Sequence, residues 1–225
     1  MQSVLLPAMS AKQDDKERVK TMMRKSITVS AYIIFPMMAG LAGIAEPLVR
    51  ILLTDKWLPC VPYMQIYCIT FAFYPVHTCN LQAINAMGRS DIFLKLEVVK
   101  KGLSVIALLI GMQFNVYIMV SIKAFQDFLC TFVNAAPNKK LLGYSIFDQW
   151  KDVTPPALLS AAMCVTVMMA GKWLVFLPLL VRLMVQILVG VAVYAVLAGV
   201  FRLESFRFCL DGLRAMTGRE RKEAR

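Results

Sequence analysis

The positive charges of this chain are concentrated in every second gap between its long apolar segments. Six, four, three and seven of its 25 lysine and arginine residues lie in four alternate gaps, at residues 1–25, 88–101, 137–153 and 202–225. The intervening gaps hold two, none and one, at residues 46–61, at residues 113–115 and around Lys172. Because short loops rich in lysine and arginine stay on the cytoplasmic side of a membrane, this pattern predicts both termini inside and an even number of spans.

The composition of the chain also indicates a bilayer environment. With 59% hydrophobic residues and a mean hydropathy of +0.63, the 225-residue chain is too apolar to build a water-facing surface. The net charge of +11 follows the gaps between apolar segments, so it reflects orientation in the membrane and not affinity for nucleic acid. We therefore expect a multi-pass protein without a nucleic-acid partner.

The apolar segments predict an all-α bundle of six transmembrane helices. Since a helix rises about 1.5 Å per residue, about 20 residues cross the hydrocarbon core. Segments of suitable length lie at residues 26–51, 60–87, 92–112, 116–136, 154–171 and 178–201. The third and fourth require a turn near Gly111 to Asn115, because one helix there would leave an odd number of spans. Pro75 is expected to kink the second span, and Pro155 and Pro156 to lie in the first turn of the fifth.

The two ends of the chain are expected to lie in the cytoplasm. Residues 1–25 are interpreted as the end of a preceding helix followed by a basic loop. In the tail at residues 202–225, apolar residues recur at helical spacing among arginines: Leu203, Phe206, Leu210 and Leu213. This pattern is typical of an amphipathic helix lying on the anionic inner leaflet, and the alternative is a solvated basic tail.

Two charged residues, Lys123 and Asp127, fall near the middle of the fourth predicted span. Their insertion costs roughly 5 to 7 kcal/mol, whereas the nine Leu, Ile, Val and Phe residues of the segment return only roughly 3 to 5 kcal/mol. Their i, i+4 spacing places both on one helix face, so they can pair and turn towards neighbouring helices or a wet cavity. The pair is interpreted either as structural or as part of a transport pathway.

The third predicted span carries four further charges in its first half: Lys95, Glu97, Lys100 and Lys101. If the span begins at the inner surface, Lys100 and Lys101 lie roughly 12 Å deep. That depth favours a hydrated cavity open to the cytoplasm over contact with lipid. The alternative is that the helix projects into the cytoplasm and its lysines snorkel to the headgroups.

The sequence lacks the motifs of catalytic and metal sites. We find no G-x-S-x-G, no glycine-rich phosphate loop, no H-E-x-x-H and no carboxylate pair placed for catalysis. The six cysteines form no C-x-x-C pair, and His77 has no other ligand at metal-binding spacing. We therefore expect neither an enzyme nor a bound cofactor or metal.

Three stretches carry a family resemblance: LLPAMS at residues 5–10, LLTDKWLP at 52–59 with its continuation to Ile66, and NLQAINAMGRSD at 80–91 with the lysines that follow. The first is similar to the end of a helix that precedes a cytoplasmic loop in bacterial polysaccharide and O-antigen flippases of the Wzx type. The second and third resemble an outer loop and the next inner loop of these proteins. They belong to the multidrug, oligosaccharidyl-lipid and polysaccharide exporter superfamily.

The resemblance implies the C-terminal half of a transporter in the bacterial inner membrane. Members are roughly twice as long and have two bundles facing a central cavity, so the implied partners are the missing N-terminal half, membrane lipids and a lipid-linked oligosaccharide. Transport by alternating access requires both halves. The resemblance implies that an undecaprenyl-diphosphate-linked glycan binds the cationic residues Lys95, Lys100, Lys101 and Lys123. Asp127 and Glu97 are the candidates for coupling movement to an ion.

Two other function classes stay open at this point. One is a multidrug or small-solute exporter of the same superfamily, which would have an intramembrane acidic site in the missing half. The other is a membrane glycan polymerase or glycosyltransferase, or a non-catalytic assembly subunit. A polymerase would need a catalytic acid or an arginine-rich outer loop, which the sequence does not contain.

Overall fold

The computed structural model describes the backbone of residues 2–200 and the side chains of residues 5–200. The predicted amphipathic tail at residues 202–225 lies outside the described residues. Regular structure in the described part is helical, which confirms the all-α prediction. It comprises α1 Gln2–Ser10, α2 Lys16–Gly43, α3 Ala45–Leu53, a 3₁₀ turn at Asp55–Cys60, α4 Val61–Ala72, α5 Tyr74–Ala86, α6 Ser90–Gly111, α7 Val116–Leu142, α8 Ile146–Trp173 and α9 Leu179–Val200.

Four of the described helices, α2, α7, α8 and α9, are long and apolar enough to cross a membrane. The other two predicted spans differ from them for separate reasons. The segment at residues 60–87 is divided into two short helices, and α6 carries charges along its first half. The chain is therefore a multi-pass helical protein with four spans evident from length and composition.

The division between α4 and α5 lies at Phe73, two residues before Pro75. Pro75 has no amide hydrogen to donate to the carbonyl of Phe71, so the helical ladder is interrupted here. The ring of Phe73 packs against Phe128 and Trp150, with ring centres 5.6 and 5.8 Å apart. These contacts anchor the break to α7 and α8, and it lies where the sequence predicts a kink.

The predicted turn between the third and fourth spans is present. Helix α6 ends at Gly111 and α7 begins at Val116, with the Asn115 side chain accepting a hydrogen bond from the amide of Ile118 at 2.9 Å. A side chain that accepts from a free amide in the first turn stabilises the start of a helix. Asn115 thus favours two helices over one continuous helix.

The prediction that Pro155 and Pro156 lie in the first turn of a helix is wrong. Helix α8 begins at Ile146, because Ser145 and Asp148 form a reciprocal capping box that starts it eight residues before Thr154. Such a box satisfies two amide groups at a helix start, and the helix continues through both prolines. The residues before the prolines include Gln149 and Val153, which are buried against the rest of the bundle.

Helix α2 also begins earlier than the predicted first span, at Lys16 instead of residue 26. Asp15 caps it by accepting from the amide of Arg18 at 3.0 Å, and Val19 and Met23 on its first turns are fully buried. Helix α1 occupies residues 2–10, so only a short link remains between α1 and α2. The basic segment at residues 1–25 is therefore mostly helical.

Helix α2 lies at the centre of the bundle and packs most extensively against α8. Glycine allows the close approach: a methyl group at Gly43 would come within 3.1 Å of Val167 in α8. The same valine faces Gly190 of α9, where a methyl group would also come within 3.1 Å. Small residues at such crossings permit tight packing of membrane helices. Helices α4, α5 and α7 also pack against α2, and α6 packs against α5 and α7. Together α4 to α7 line the cavity described below.

A polar contact near the start of α2 joins that helix to α8. The guanidinium group of Arg24 donates two hydrogen bonds to the carboxylate of Asp152, at 2.8 and 2.7 Å. The buried hydroxyl of Tyr144 donates to the same carboxylate at 2.7 Å. Burial, and then the hydrogen bond to Asp152, raise the pKa of Tyr144, which keeps its hydroxyl protonated and able to donate.

Replacing Asp152 by alanine is expected to lower the free energy of unfolding by about 1 to 3 kcal/mol, because the buried Tyr144 hydroxyl loses its acceptor. Unfolding by sodium dodecyl sulfate in mixed micelles measures this loss. Glu17→Ala is the control, since Glu17 is exposed and lies 3.8 Å from Lys20. Equal effects of the two substitutions would show that the contact with α8 adds no stability.

Candidate functional site

A cavity of about 560 Å³ lies between α4, α5, α6 and α7. Its wall combines aromatic residues of α4 and α5 with a concentration of charged and amide side chains. The polar and charged lining residues are Thr70, His77, Thr78, Gln82, Asn85, Glu97, Lys100, Lys101, Ser104, Lys123, Gln126, Asp127 and Asn134. Five of the six site residues proposed from the sequence therefore meet in one place.

Helix α6 presents different faces to the cavity and to the outside. Phe93, Glu97, Lys100, Lys101 and Ser104 recur at intervals of three and four and line the cavity. Outside that face, the helix exposes large apolar residues suited to lipid contact: Leu94, Val98, Val105 and Leu109. Three charges of α6, those of Glu97, Lys100 and Lys101, thus lie on the face that lines the cavity, which allows a charged helix to fit into an apolar bundle.

Lys95 is the proposed site residue that the structure does not bring to the cavity. Its side chain is exposed on α6 and is absent from the lining. Lys95 precedes Lys100 by five positions, so the two side chains point about 140° apart around the helix axis. Sequence proximity to the other lysines therefore did not place Lys95 on their face.

Two ion pairs lie in the cavity, and each is formed within one helix. Lys100 pairs with Glu97 on α6, and Lys123 pairs with Asp127 on α7. The second pair has the i, i+4 geometry predicted from the sequence, so that pairing is confirmed. The Lys100 side chain is 15% exposed and that of Lys123 is 37% exposed, so both remain accessible from the cavity.

The polar face of α7 continues beyond Asp127. Gln126, Cys130 and Asn134 follow Lys123 at helical intervals and line the same cavity. The sequence reasoning considered only the charged residues of this helix. The periodicity of its uncharged polar residues was the signal that could have identified the remaining three.

His77 is a cavity residue that the sequence reasoning did not propose as part of a site. Its Nδ1 atom accepts a hydrogen bond from the Asn134 amide at 2.9 Å, and its Nε2 atom lies 3.1 Å from the Thr131 hydroxyl. With Nδ1 accepting, Nε2 carries the proton and donates to Thr131. These two bonds fix the imidazole of α5 against α7 at the wall of the cavity.

A buried network of amides holds α5, α7 and α8 together beside the cavity. The Asn80 amide donates to the Gln149 carbonyl at 2.8 Å and accepts from the Gln149 amide at 3.0 Å. The amide of Asn138 donates to the Asn80 side chain at 2.7 Å. All three side chains are at most 1% exposed. Asn80 is therefore an interhelical hydrogen-bond partner of Gln149 and Asn138.

Three amide oxygens in the cavity wall have no hydrogen-bond donor among the described residues. They belong to Gln82 on α5 and to Gln126 and Asn134 on α7. A buried carbonyl group without a donor costs free energy, so such groups favour water or a ligand that supplies hydroxyl or amine hydrogens. The cavity thus offers both cations and free acceptors.

An apolar groove of about 1310 Å³ adjoins the charged cavity. Its walls come mainly from α2, α4 and α5 and include Ile34, Met38 and Met64. Cavity and groove share Tyr67, Phe71, Tyr74, Thr78 and Gln82. The bundle therefore places a polar and an apolar surface next to each other.

Parts of this chain are similar to known proteins of polysaccharide biosynthesis. Residues 1–62 match the family model described as polysaccharide biosynthesis protein. The chain is 36% identical over 97 residues to a protein named uncharacterized membrane protein in cps region, from Klebsiella pneumoniae, covering 43% of this chain and 20% of that protein. It is 31% identical over 110 residues to the lipopolysaccharide biosynthesis protein WzxC of Escherichia coli K12, covering 49% of this chain and 22% of WzxC.

Among solved structures, the fold is similar to the lipid II flippase MurJ in an inward closed conformation. The TM-score is 0.70 at 16% sequence identity, and the alignment covers 89% of this chain and 42% of MurJ. The matched segments thus span about a fifth of each curated relative and under half of MurJ. These matches confirm the resemblance to Wzx-type polysaccharide flippases, and the fold is similar to that of part of MurJ.

Proposed function

We propose that this chain forms the C-terminal bundle of a flippase that moves an undecaprenyl-diphosphate-linked oligosaccharide across the bacterial inner membrane. The observation that carries the proposal is the cavity in which Lys100, Lys101 and Lys123 meet inside an apolar helical protein. The similarity to WzxC, a lipopolysaccharide biosynthesis protein, and to the fold of a lipid II flippase supports the same function.

The chemistry of the cavity fits the proposed substrate. A diphosphate group carries several negative charges, which lysine ammonium groups neutralise through short charge-assisted hydrogen bonds. The amide groups of Gln82, Gln126 and Asn134 lie in the cavity wall with buried, unpaired carbonyl oxygens, which a rotation of each side chain would present to sugar hydroxyls. The polyprenyl chain stays in the surrounding lipid, where it needs no polar partner.

In this proposal, α4 with α5 forms one broken span and α6 forms another, which together with the four apolar helices makes six. Glu97, Lys100 and Lys101 of α6 are tolerated because they line the cavity, while large apolar side chains of α6 are exposed outside it. The distribution of lysine and arginine then places both termini in the cytoplasm.

Transport by alternating access requires a second bundle that moves against this one across the substrate site. The similarity to MurJ covers only 42% of that chain, which leaves room for such a partner in the complete transporter. Glu97 and Asp127 are the carboxylates in the cavity, so we propose them as the groups that couple the movement to an ion.

A binding measurement tests the proposed substrate class. The purified chain in nanodiscs of zwitterionic lipid is titrated with undecaprenyl diphosphate and with undecaprenyl monophosphate, and bound lipid is counted by native mass spectrometry. We expect the diphosphate to bind roughly tenfold more tightly, since it makes at least one more charge-assisted hydrogen bond.

In the same measurement, a triple variant should lose the preference for the diphosphate. It combines Lys100→Gln, Lys101→Gln and Lys123→Gln. A matched control replaces Lys16, Lys139 and Lys140, which do not line the cavity, by glutamine. Preferential binding of a cationic compound such as ethidium by the original chain would instead identify a multidrug exporter and overturn the proposal.

A further inference from the structure

Two of the three lysines in the cavity already have a negative partner. Lys100 is paired with Glu97 and Lys123 with Asp127, whereas Lys101 has no carboxylate within 4 Å among residues 5–200. Counting lysines and carboxylates, the lining carries three positive and two negative charges. The cavity is therefore nearly neutral, although it is rich in cations.

Both pairs are formed over one helical turn, between residues three or four apart. A movement of α6 or α7 as a rigid body carries each lysine together with its carboxylate. The internal counter-ion thus remains beside its lysine in every arrangement of the helices. An interhelical pair such as Arg24 with Asp152 would not have this property, because relative movement of its two helices separates the charges.

The pairs are also accessible. The side chains of Glu97 and Asp127 are 30% and 32% exposed, so their carboxylates can be solvated in the cavity when they leave the lysines. Ion pairs that remain partly solvated contribute little stability and are readily exchanged. Phosphate oxygens can replace the carboxylates, because they form hydrogen bonds of the same charge-assisted kind and carry more negative charge.

We propose that Glu97 and Asp127 are displaceable counter-ions, which compete with the phosphate oxygens of an anionic ligand for Lys100 and Lys123. This inference rests on the proposed function, since it concerns the same cavity and a diphosphate ligand. Each carboxylate weakens ligand binding while the ligand is held and re-forms its ion pair when the ligand leaves. The two acids therefore set how readily the anion is released.

The physical advantage lies in turnover. A cavity with three unpaired lysines would hold a diphosphate strongly, whereas a transport site must bind its ligand well enough to capture it and weakly enough to release it. Since each carboxylate stays on the same helix turn as its lysine, release does not depend on a counter-ion from solution. Glu97 and Asp127 thus set the affinity of the binding site for its anion, in addition to any role in ion coupling.

The test measures the affinity of the full chain in zwitterionic nanodiscs for inorganic pyrophosphate by isothermal titration calorimetry. Glu97→Gln and Asp127→Asn should each lower the dissociation constant by roughly threefold to tenfold. A carboxylate that only positions its lysine predicts the opposite, because its loss leaves the lysine misplaced and the binding weaker. Asp127→Glu retains a competing carboxylate, so it should tighten pyrophosphate binding less than Asp127→Asn does.

Matched controls separate competition from a general change in net charge. Glu46→Gln and Asp55→Asn remove carboxylates that lie 3.2 and 3.5 Å from Arg50, outside the cavity. Each control removes one negative charge, as the cavity variants do, and should leave the pyrophosphate affinity unchanged. The double variant Glu97→Gln with Lys100→Gln removes competitor and cation together and should bind more weakly than Glu97→Gln alone.

The outcomes distinguish this inference from the proposed function. Pyrophosphate binding that is unchanged or weaker in both acid variants, with normal binding by the original chain, overturns the inference and leaves the proposed function standing. Binding by the acid variants but not by the original chain supports it, since the carboxylates then fully exclude the probe. The absence of binding in every variant, with each variant's thermal unfolding unchanged, overturns both proposals.

Discussion

Replacing both Lys100 and Lys101 by glutamate is expected to abolish glycan export by a flippase that contains this chain. Both lysines line the cavity, and the double substitution changes their combined charge from plus two to minus two. Loss of two charge-assisted hydrogen bonds alone weakens binding roughly a hundredfold or more. Repulsion between the new carboxylates and the diphosphate adds to this loss. Surface polysaccharide in a strain that depends on the transporter measures the effect.

The control for this prediction is Lys139→Glu with Lys140→Glu. These lysines form the same kind of adjacent pair and are exposed in the last turns of α7, outside the cavity. We expect export to persist in the control and insertion into the membrane to be equal for both variants. Full export by the Lys100 and Lys101 variant would show that this cavity does not carry the substrate.

Replacing Asn80 by alanine is expected to lower the free energy of unfolding by about 2 to 4 kcal/mol. Asn80 is fully buried and bonds to both Gln149 and Asn138, so its loss leaves two buried amides on other helices without their partner. An average hydrogen bond between membrane helices contributes little free energy. The expected loss is larger because two buried amide groups are left without a partner. Unfolding in mixed micelles with sodium dodecyl sulfate measures the change.

Asn85→Ala is the matched control, because Asn85 lies on the same helix and is only half-buried at the cavity wall. It should cost less than about 1 kcal/mol. The double variant Asn80→Ala with Gln149→Ala should be less destabilised than the sum of the single variants, since each single substitution already breaks their shared bonds. A loss for Asn80→Ala no larger than that for Asn85→Ala contradicts the structural role of the network.

Several features of the fold could be predicted from the sequence because they depend on neighbouring residues. The turn before Val116 was predicted from the even number of spans, and its local cause is the cap at Asn115. The break near Phe73 follows from Pro75 two residues later. The pairing of Lys123 with Asp127 follows from one turn of helix. Each of these involves residues at most four apart, where helical geometry alone determines proximity.

Cap chemistry accounts for the differences at helix starts. The prediction for α8 considered Pro155 and Pro156 and overlooked Ser145 and Asp148, whose capping box begins the helix earlier. In α2 the cap at Asp15 extends the helix into a segment interpreted as a basic loop. Both signals are present in the sequence, but hydropathy and charge outweighed them, because the search for apolar spans ignores polar residues that begin a helix outside the membrane core.

Charge and hydropathy along the sequence determined that this protein is an apolar helical bundle with cations concentrated at alternate gaps. Which polar faces meet was decided only by the tertiary structure. His77 forms hydrogen bonds with Thr131 and Asn134, which are more than fifty residues later in the chain. Lys100 lines the cavity, whereas Lys95 does not. The physical reason is that a helix repeats every 3.6 residues whatever it contacts, whereas the rotation that selects its inward face is set by packing against the other helices.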